Sequence, residues 1–357
     1  MVDYLTFWQT NAAVFRREVE PSQLFYSAAM RPKLERLLMQ CQQPNGLLLL
    51  IGNSGTGKST LLKWLYATLA VAKYEVLLTT LVREESAMGW LTPRLAEFMG
   101  VALQGVAPGN DLTPAMRRTA ASFDELMTEE RRLLVAIDAA HRLSSPEACG
   151  EISAYLNLQA LAGSCVTFLL AGDRRLKHLI HGVPELDTRV AFSLEITPFS
   201  RQDTGDYIAH RLRMADVAAT FSGDAVDLIQ DISVGVAAAI DNLAEACLME
   251  AAFTDLRRIT RDTVQTAAAQ IYGDKTSTTA GQYSLAAAAM TVRPTTTSST
   301  APAWLTTPQN PPPAAAAPTS SKLGAKELDT EEAKAAAVDS GIKLTSLFKS
   351  EPGRNRP

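Results

Sequence analysis

The stretch Leu47-Leu48-Leu49-Leu50-Ile51-Gly52-Asn53-Ser54-Gly55-Thr56-Gly57-Lys58-Ser59-Thr60 decides how the chain is read. Five apolar residues predict a buried strand, and STLLKWLYATLAVA after the loop predicts a helix. Within Gly52 to Thr60, the eight residues from Gly52 to Ser59 match G-x-x-x-x-G-K-[ST], in the strand–loop–helix context that gives the pattern its meaning. Glycines let backbone N–H groups turn inward around phosphate oxygens where side chains would clash. The helix beginning near Lys58 aims the positive end of its dipole at the same place. Lys58 can reach β- and γ-phosphates, and the Ser59 hydroxyl can ligate Mg²⁺. All nine residues, Gly52, Asn53, Ser54, Gly55, Thr56, Gly57, Lys58, Ser59 and Thr60, are therefore expected to bind nucleotide.

Such a site needs an acid at the end of a neighbouring strand. Leu133-Leu134-Val135-Ala136-Ile137-Asp138 supplies one. A carboxylate closing a buried strand is costly without a partner, so Asp138 is expected to hold Mg²⁺ or its water. The alternative is a helix cap following the strand. Together Lys58, Ser59 and Asp138 predict a site for an NTP with Mg²⁺, most naturally ATP.

Working outward, LLLLIG, YEVLLTTL, RLLVAID, CVTFLLAG and FSLEITPF read as five short buried strands separated by amphipathic helices. That alternation predicts an α/β fold with a five-stranded parallel sheet. After Pro198 the strand pattern stops. RQDTGDYIAHRLRMA, DAVDLIQDI, VAAAIDNLAEACLMEAAF and TRDTVQTAAAQI read as helices. The expected organisation is a helical lead-in over 1–45, a nucleotide-binding α/β domain over 46–198, an α-helical lid over 199–275 and a disordered tail over 276–357. The tail holds nine of the 18 prolines and few bulky aliphatics, too little apolar surface to offset the entropy of ordering. Near 340–350, Ile342, Leu344, Leu347 and Phe348 lie beside Lys343 and Lys349. That cluster reads as linker or as a short motif that docks on a protein partner.

The 357 residues carry a net charge of −4, which excludes a strongly basic nucleic-acid coat. Cys41, Cys149, Cys165 and Cys247 are too scattered for a zinc knuckle and read as reduced, buried thiols. No targeting segment or apolar run of bilayer length is visible, so a cytoplasmic location with no direct membrane span is expected.

Several segments resemble the AAA+ ATPases of the ExeA type, the general secretion pathway protein A family, related to the transposition helper ATPases. They are Pro21-Ser22-Gln23-Leu24-Phe25-Tyr26-Ser27, the phosphate loop, IDAAHRL, LLAGDRRL and RQDTGDYIAHRLRMA. The resemblance spans roughly residues 4–272 and implies a P-loop NTPase of the AAA+ class. It also implies that Asp173 occupies the polar sensor position. Arg189, before the last strand, would be an arginine finger acting on a neighbouring subunit, in a homo-oligomeric ring, in this class most often a hexamer. The alternative for Arg189 is a surface pairing with Asp187 or Glu185.

Two positions depart from that family. Its second motif reads D-E-A-[QH], with a glutamate that orients the attacking water. This chain has Asp138-Ala139-Ala140-His141. Alanine can neither accept a proton nor orient water, and losing that group costs about 10²-fold or more in rate. His141 could act through a water or be a surface histidine. The family's S-G-G-x-P-R stretch is here Ser233-Val234-Gly235-Val236-Ala237-Ala238, with alanine in place of proline and arginine. ATP binding with weak hydrolysis is expected. The resemblance implies a nucleotide-gated assembly factor for a secretion or pilus-like envelope machine, reached through a membrane-anchored partner. Alternatives are a DNA-associated helper or a non-hydrolysing scaffold beside an active ATPase. Basic pairs at Arg117/Arg118, Arg131/Arg132, Arg174/Arg175 and Arg257/Arg258 are scattered, which disfavours DNA.

Overall fold

A computed structural model describes residues 3–16, 23–43, 46–69, 74–103, 112–162 and 165–273. The expected tail, its cluster near 340–350, and Pro21 and Ser22 lie outside the described residues.

Five strands form one parallel sheet: β1 (Gly46–Gly52), β2 (Tyr74–Thr80), β3 (Arg132–Asp138), β4 (Val166–Gly172) and β5 (Val190–Ile196). Their order is β2-β3-β4-β1-β5. β1 runs as an unbroken apolar segment because both its faces are covered. Leu47, Leu49 and Ile51 join a core with Leu133, Val135, Ile137 and Phe168. Leu48 and Leu50 point the other way, onto Leu37, Leu62, Trp64 and Leu65.

Helices α2 (Arg31–Cys41) and α3 (Lys58–Leu69) supply that second face. The first is covered from α4 (Thr92–Phe98), α5 (Thr113–Thr128), α6 (Pro146–Ala162), α7 (Arg174–His181) and α8 (Pro184–Asp187). Helices α2, α4, α5 and α8 carry proline in the first turn, where the missing N–H leaves no hydrogen bond unmade. All four cysteines are buried and unpaired. Among the described residues no helix is long and apolar enough to cross a membrane.

Beyond Pro198 come α9 (Arg201–Met214), α10 (Gly223–Ser233), α11 (Ala237–Phe253) and α12 (Arg261–Tyr272). Ser200 starts α9 with a capping box closed by Asp203. One expectation needs correcting here: strand pairing does not stop at Pro198. Thr220–Phe221 (β6) and Arg258–Ile259 (β7) form a small parallel pair, too short to leave a period-two pattern in the sequence.

The N-terminal segment packs on these last helices. α1 (Tyr4–Trp8) and residues 14–15 share a core with α9–α12. Trp8 Nε1 donates to the Leu248 carbonyl at 3.0 Å, and buried Arg211 donates to the Val14 and Arg16 carbonyls. Residues 23–26 then span both parts. Phe25 packs on Phe199 and Tyr207, whereas Leu24 and Tyr26 pack on the α2/α3 core.

Candidate functional site

The strands are parallel, so the loop after β1 and the acid ending β3 share one edge of the sheet. β4 lies between them, which puts Gly172 and Asp173 at the same edge. Open α/β sheets place their ligand sites at this C-terminal edge.

Gly55 and Gly57 have φ of 78° and 95°, a region where L side chains are strained. Nothing lies within 4 Å of where a Cβ on Gly57 would sit, so the backbone there is open to a ligand. Thr56 Oγ1 braces the turn by donating to the Asn53 carbonyl at 2.8 Å. Lys58 Nζ donates to the Gly52 and Asn53 carbonyls, both at 2.8 Å. Burial pushes the Lys58 ammonium below the ordinary lysine range, against the pull of Asp138 and Asp173. A phosphate in the cradle would add counter-charge beside that cation.

Ser59 Oγ donates to Asp138 Oδ2 at 2.5 Å. Asp138 Oδ1 accepts from the Ala139 N–H at 2.7 Å. A hydroxyl and a carboxylate held this close are hard oxygen donors of the kind magnesium takes with phosphate oxygens and water. The glycine cradle, lysine, hydroxyl and carboxylate thus fit a nucleoside triphosphate with Mg²⁺. Ser54 and Asn53 are exposed on the loop, and Thr60 is half-buried at the start of α3.

Ala139 has φ 54° and ψ 30° and leads a 3-10 turn over Ala140–Arg142. The left-handed conformation costs about 1 kcal/mol for alanine. The turn is fastened from outside by the segment after β2. Glu85 N donates to the Arg142 carbonyl and Ser144 N to the Glu85 carbonyl, both at 3.0 Å. Inside it, His141 is not the surface residue that was one expectation. The ring is half-buried, and Nδ1 is fully buried with no hydrogen-bond partner among the described residues.

Asp173 caps α7, accepting from Arg175 N at 2.9 Å and from its guanidinium at 2.8 Å. Burial opposes ionisation of Asp173, but the Arg175 hydrogen bonds outweigh it and hold the carboxyl below the usual aspartate range.

Arg189 lies at the opposite edge of the sheet, where its carbonyl accepts from Leu47 N at 3.0 Å. A seven-residue strand spans about 20 Å, so Arg189 cannot reach its own phosphate loop. Its guanidinium donates to the Leu156 carbonyl at 3.2 Å and to Asn157 Oδ1 at 2.5 Å. Asp187 pairs instead with His181 at 2.6 Å.

One contact had no sequence signal. Ala238 N, at the start of α11, donates to the Gly55 carbonyl at 3.0 Å. A Cβ on Gly55 would come within 3.0 Å of Ala238 Cβ and 3.1 Å of Val236 Cγ1. The short side chain of Ala238 lets α11 meet the phosphate loop through backbone.

Residues 41–180 match the model of the AAA domain. No curated protein matches the chain. Among solved structures the chain is similar to the ORC2 protein of Aeropyrum pernix in ADPNP–ADP complexes. That match has a TM-score of 0.55 at 20% identity, over 72% of this chain and 71% of that one. Cdc6p from Pyrobaculum aerophilum gives a TM-score of 0.56 at 13% identity, over 72% and 70%. The Aeropyrum pernix ORC1 protein in complex with DNA gives 0.53 at 17% identity, over 72% and 68%. The chain has the P-loop AAA+ fold with its five-stranded parallel sheet. These matches stop short of the general secretion pathway protein A subfamily.

Proposed function

We propose that this chain binds ATP with Mg²⁺, hydrolyses it slowly, and acts as a nucleotide-gated assembly factor. The observation that carries the reading is the Ser59–Asp138 pair beside Lys58 and the glycine cradle, with Ala139 in the next position. Loop amides and Lys58 would hold the phosphates, and Ser59 and Asp138 would hold the metal. Mg²⁺ held by Ser59 and Asp138 would supply charge that neutralises the triphosphate. Ala139 contributes nothing to water activation, so the bound state is long-lived.

Assembly would follow from Arg189 acting on a neighbour. It sits at the far edge from its own loop, on hydrogen bonds that an incoming phosphate could replace. The partner machine proposed is an envelope secretion or pilus-like system, on the resemblance to the general secretion pathway protein A family. The tail cluster around Leu344 and Phe348 would engage a membrane-anchored component. The test is light scattering with and without ATP·Mg²⁺. The wild-type chain should enlarge with nucleotide and Arg189→Ala should not. A wild-type chain that stays monomeric would refute the assembly role.

A DNA-associated role is the second reading, because one structure of the same fold is that of an ORC1 protein in complex with DNA. The basic pairs give it little support. Arg131 pairs with Glu129 and Glu75, Arg174 with Glu195 and Arg175 with Asp173. Arg257 lies over Phe7 and Trp8. Duplex binding that weakens steeply with salt would favour this reading over the first.

A further inference from the structure

Strand β2 lies at one side of the sheet and pairs with β3. The register is unbroken: Val76 lies opposite Leu134, Leu78 opposite Ala136 and Thr80 opposite Asp138. Side chains alternate along a strand, so residues paired across parallel strands stand on the same face. Packing shows which face this is. Val76, Leu134 and Ala136 belong to the core shared with Leu61, Leu62 and Leu65 of α3, and Leu78 packs against it. Leu77 and Ile137, one residue on from Val76 and Ala136, pack into the core on the other side of the sheet.

Asp138 follows the same alternation, because its carboxylate takes the hydroxyl of Ser59 in the first turn of α3. Thr80 therefore ends a row that faces α3, one strand out from Asp138. Neighbouring strands lie about 4.8 Å apart, so the two residues are side by side. The backbone holds them there: Leu81 N donates to the Asp138 carbonyl at 3.1 Å. Where Val76 and Leu78 are apolar, Thr80 carries a hydroxyl, and it is exposed, so water reaches it. A hydroxyl can both accept and donate a hydrogen bond.

We propose that Thr80 is a positioning residue for the metal, with Oγ1 accepting a hydrogen bond from a metal-bound water beside Asp138. The inference rests on the reading of this edge as an ATP·Mg²⁺ site. Magnesium keeps several of its waters in sites of this kind and takes only one or two protein oxygens directly. Ser59 and Asp138 thus leave bound water for surrounding groups to orient, and such outer partners tune metal affinity. Thr80 adds to the pair an oxygen from β2, a strand that supplies no other residue of the site.

The test reads metal binding and needs no turnover. Binding of a fluorescent ATP analogue to the full chain is titrated with Mg²⁺ for wild type, Thr80→Val and Thr80→Ser. Valine keeps the branched shape that suits a strand and removes the oxygen; serine keeps the oxygen. The Mg²⁺ midpoint should rise about 10-fold in Thr80→Val, the lower end of what losing an outer partner costs a metal site. Thr80→Ser should stay close to wild type. Affinity for the analogue in EDTA should be the same in all three proteins, whereas a purely structural role for Thr80 would lower it as well. Melting curves establish that the variants fold, and Thr80→Ala carries the comparison if valine disturbs the strand end. A wild-type Mg²⁺ midpoint in folded Thr80→Val would overturn the proposal. So would a loss that serine fails to restore, or one that persists in EDTA. A wild-type chain that binds no analogue, or binds it without regard to Mg²⁺, would overturn the site reading, and this proposal with it.

Discussion

The Ser59 hydroxyl donates to Asp138 Oδ2 at 2.5 Å, joining positions 79 residues apart at one edge of the sheet. Ser59 belongs to the helix after β1, and Asp138 ends β3, two strands away with β4 between. Only the sheet order brings them together, and the pair is the centre of the proposed metal site.

Asp138→Asn should leave the fold intact and weaken the dependence of nucleotide binding on Mg²⁺. The amide keeps the shape but loses the charge. The loss should be at least the ~10-fold that removing even an outer partner of a bound metal costs. Titrations of a fluorescent nucleotide at varied Mg²⁺ measure it; an unchanged dependence would place the metal elsewhere.

Ala139→Glu should raise turnover by about 10²-fold, because the side chain starts where a carboxylate can act on water. Position 139 already has φ 54°, so glutamate adds little backbone strain to that of alanine. Steady-state phosphate release is the measurement. No gain would mean that water positioning is not what limits the rate.

Gly235→Ala should unfold the junction between Phe199 and the turn joining α10 to α11. Gly235 has φ 73°, and a Cβ there would lie 2.1 Å from the Phe199 carbonyl oxygen, a backbone atom that cannot swing aside. Phe199 N also donates to the Gly235 carbonyl at 2.8 Å. The cost should be about 2 kcal/mol or more. Denaturant titration reads it, and a wild-type midpoint would contradict the geometry.

Asp173→Asn should destabilise the chain at neutral pH and not in acid. The Arg175 hydrogen bonds hold the folded carboxyl below its unfolded range, against the opposing effect of burial. The carboxylate's contribution is therefore present above the unfolded value of about 3.9 and disappears as pH falls through the folded value. Asparagine keeps the cap on α7, so the comparison isolates charge. Melting temperatures of the two proteins should converge below pH ~4.

Much of the sheet was legible because its inner strands β1, β3 and β4 are buried on both faces. Those three are largely apolar runs, and LLLLIG followed by the glycine loop marks strand, turn and helix at once. The nine loop residues and Asp138 stand in one arrangement for the same reason: local pattern and strand order suffice. The N-terminal segment was harder. Phe7, Trp8, Val14 and Phe15 follow no helical or strand period, and their partners lie some two hundred residues away on α9 and α11. The Ala238–Gly55 contact left no trace because it uses backbone atoms, and an alanine pair looks like any stretch of helix. His141 read more readily as a surface residue because the place of its turn depends on Gly172, where a Cβ would come within 3.0 Å of the His141 backbone nitrogen.

The most direct test of the account is calorimetric titration of the full chain with ATP analogue and Mg²⁺, beside Lys58→Ala. Wild type should bind in the micromolar range, about −8 kcal/mol, and the variant at least about 10²-fold more weakly. Equal binding by the two proteins, or none by wild type, would contradict the claim that this glycine loop holds a triphosphate.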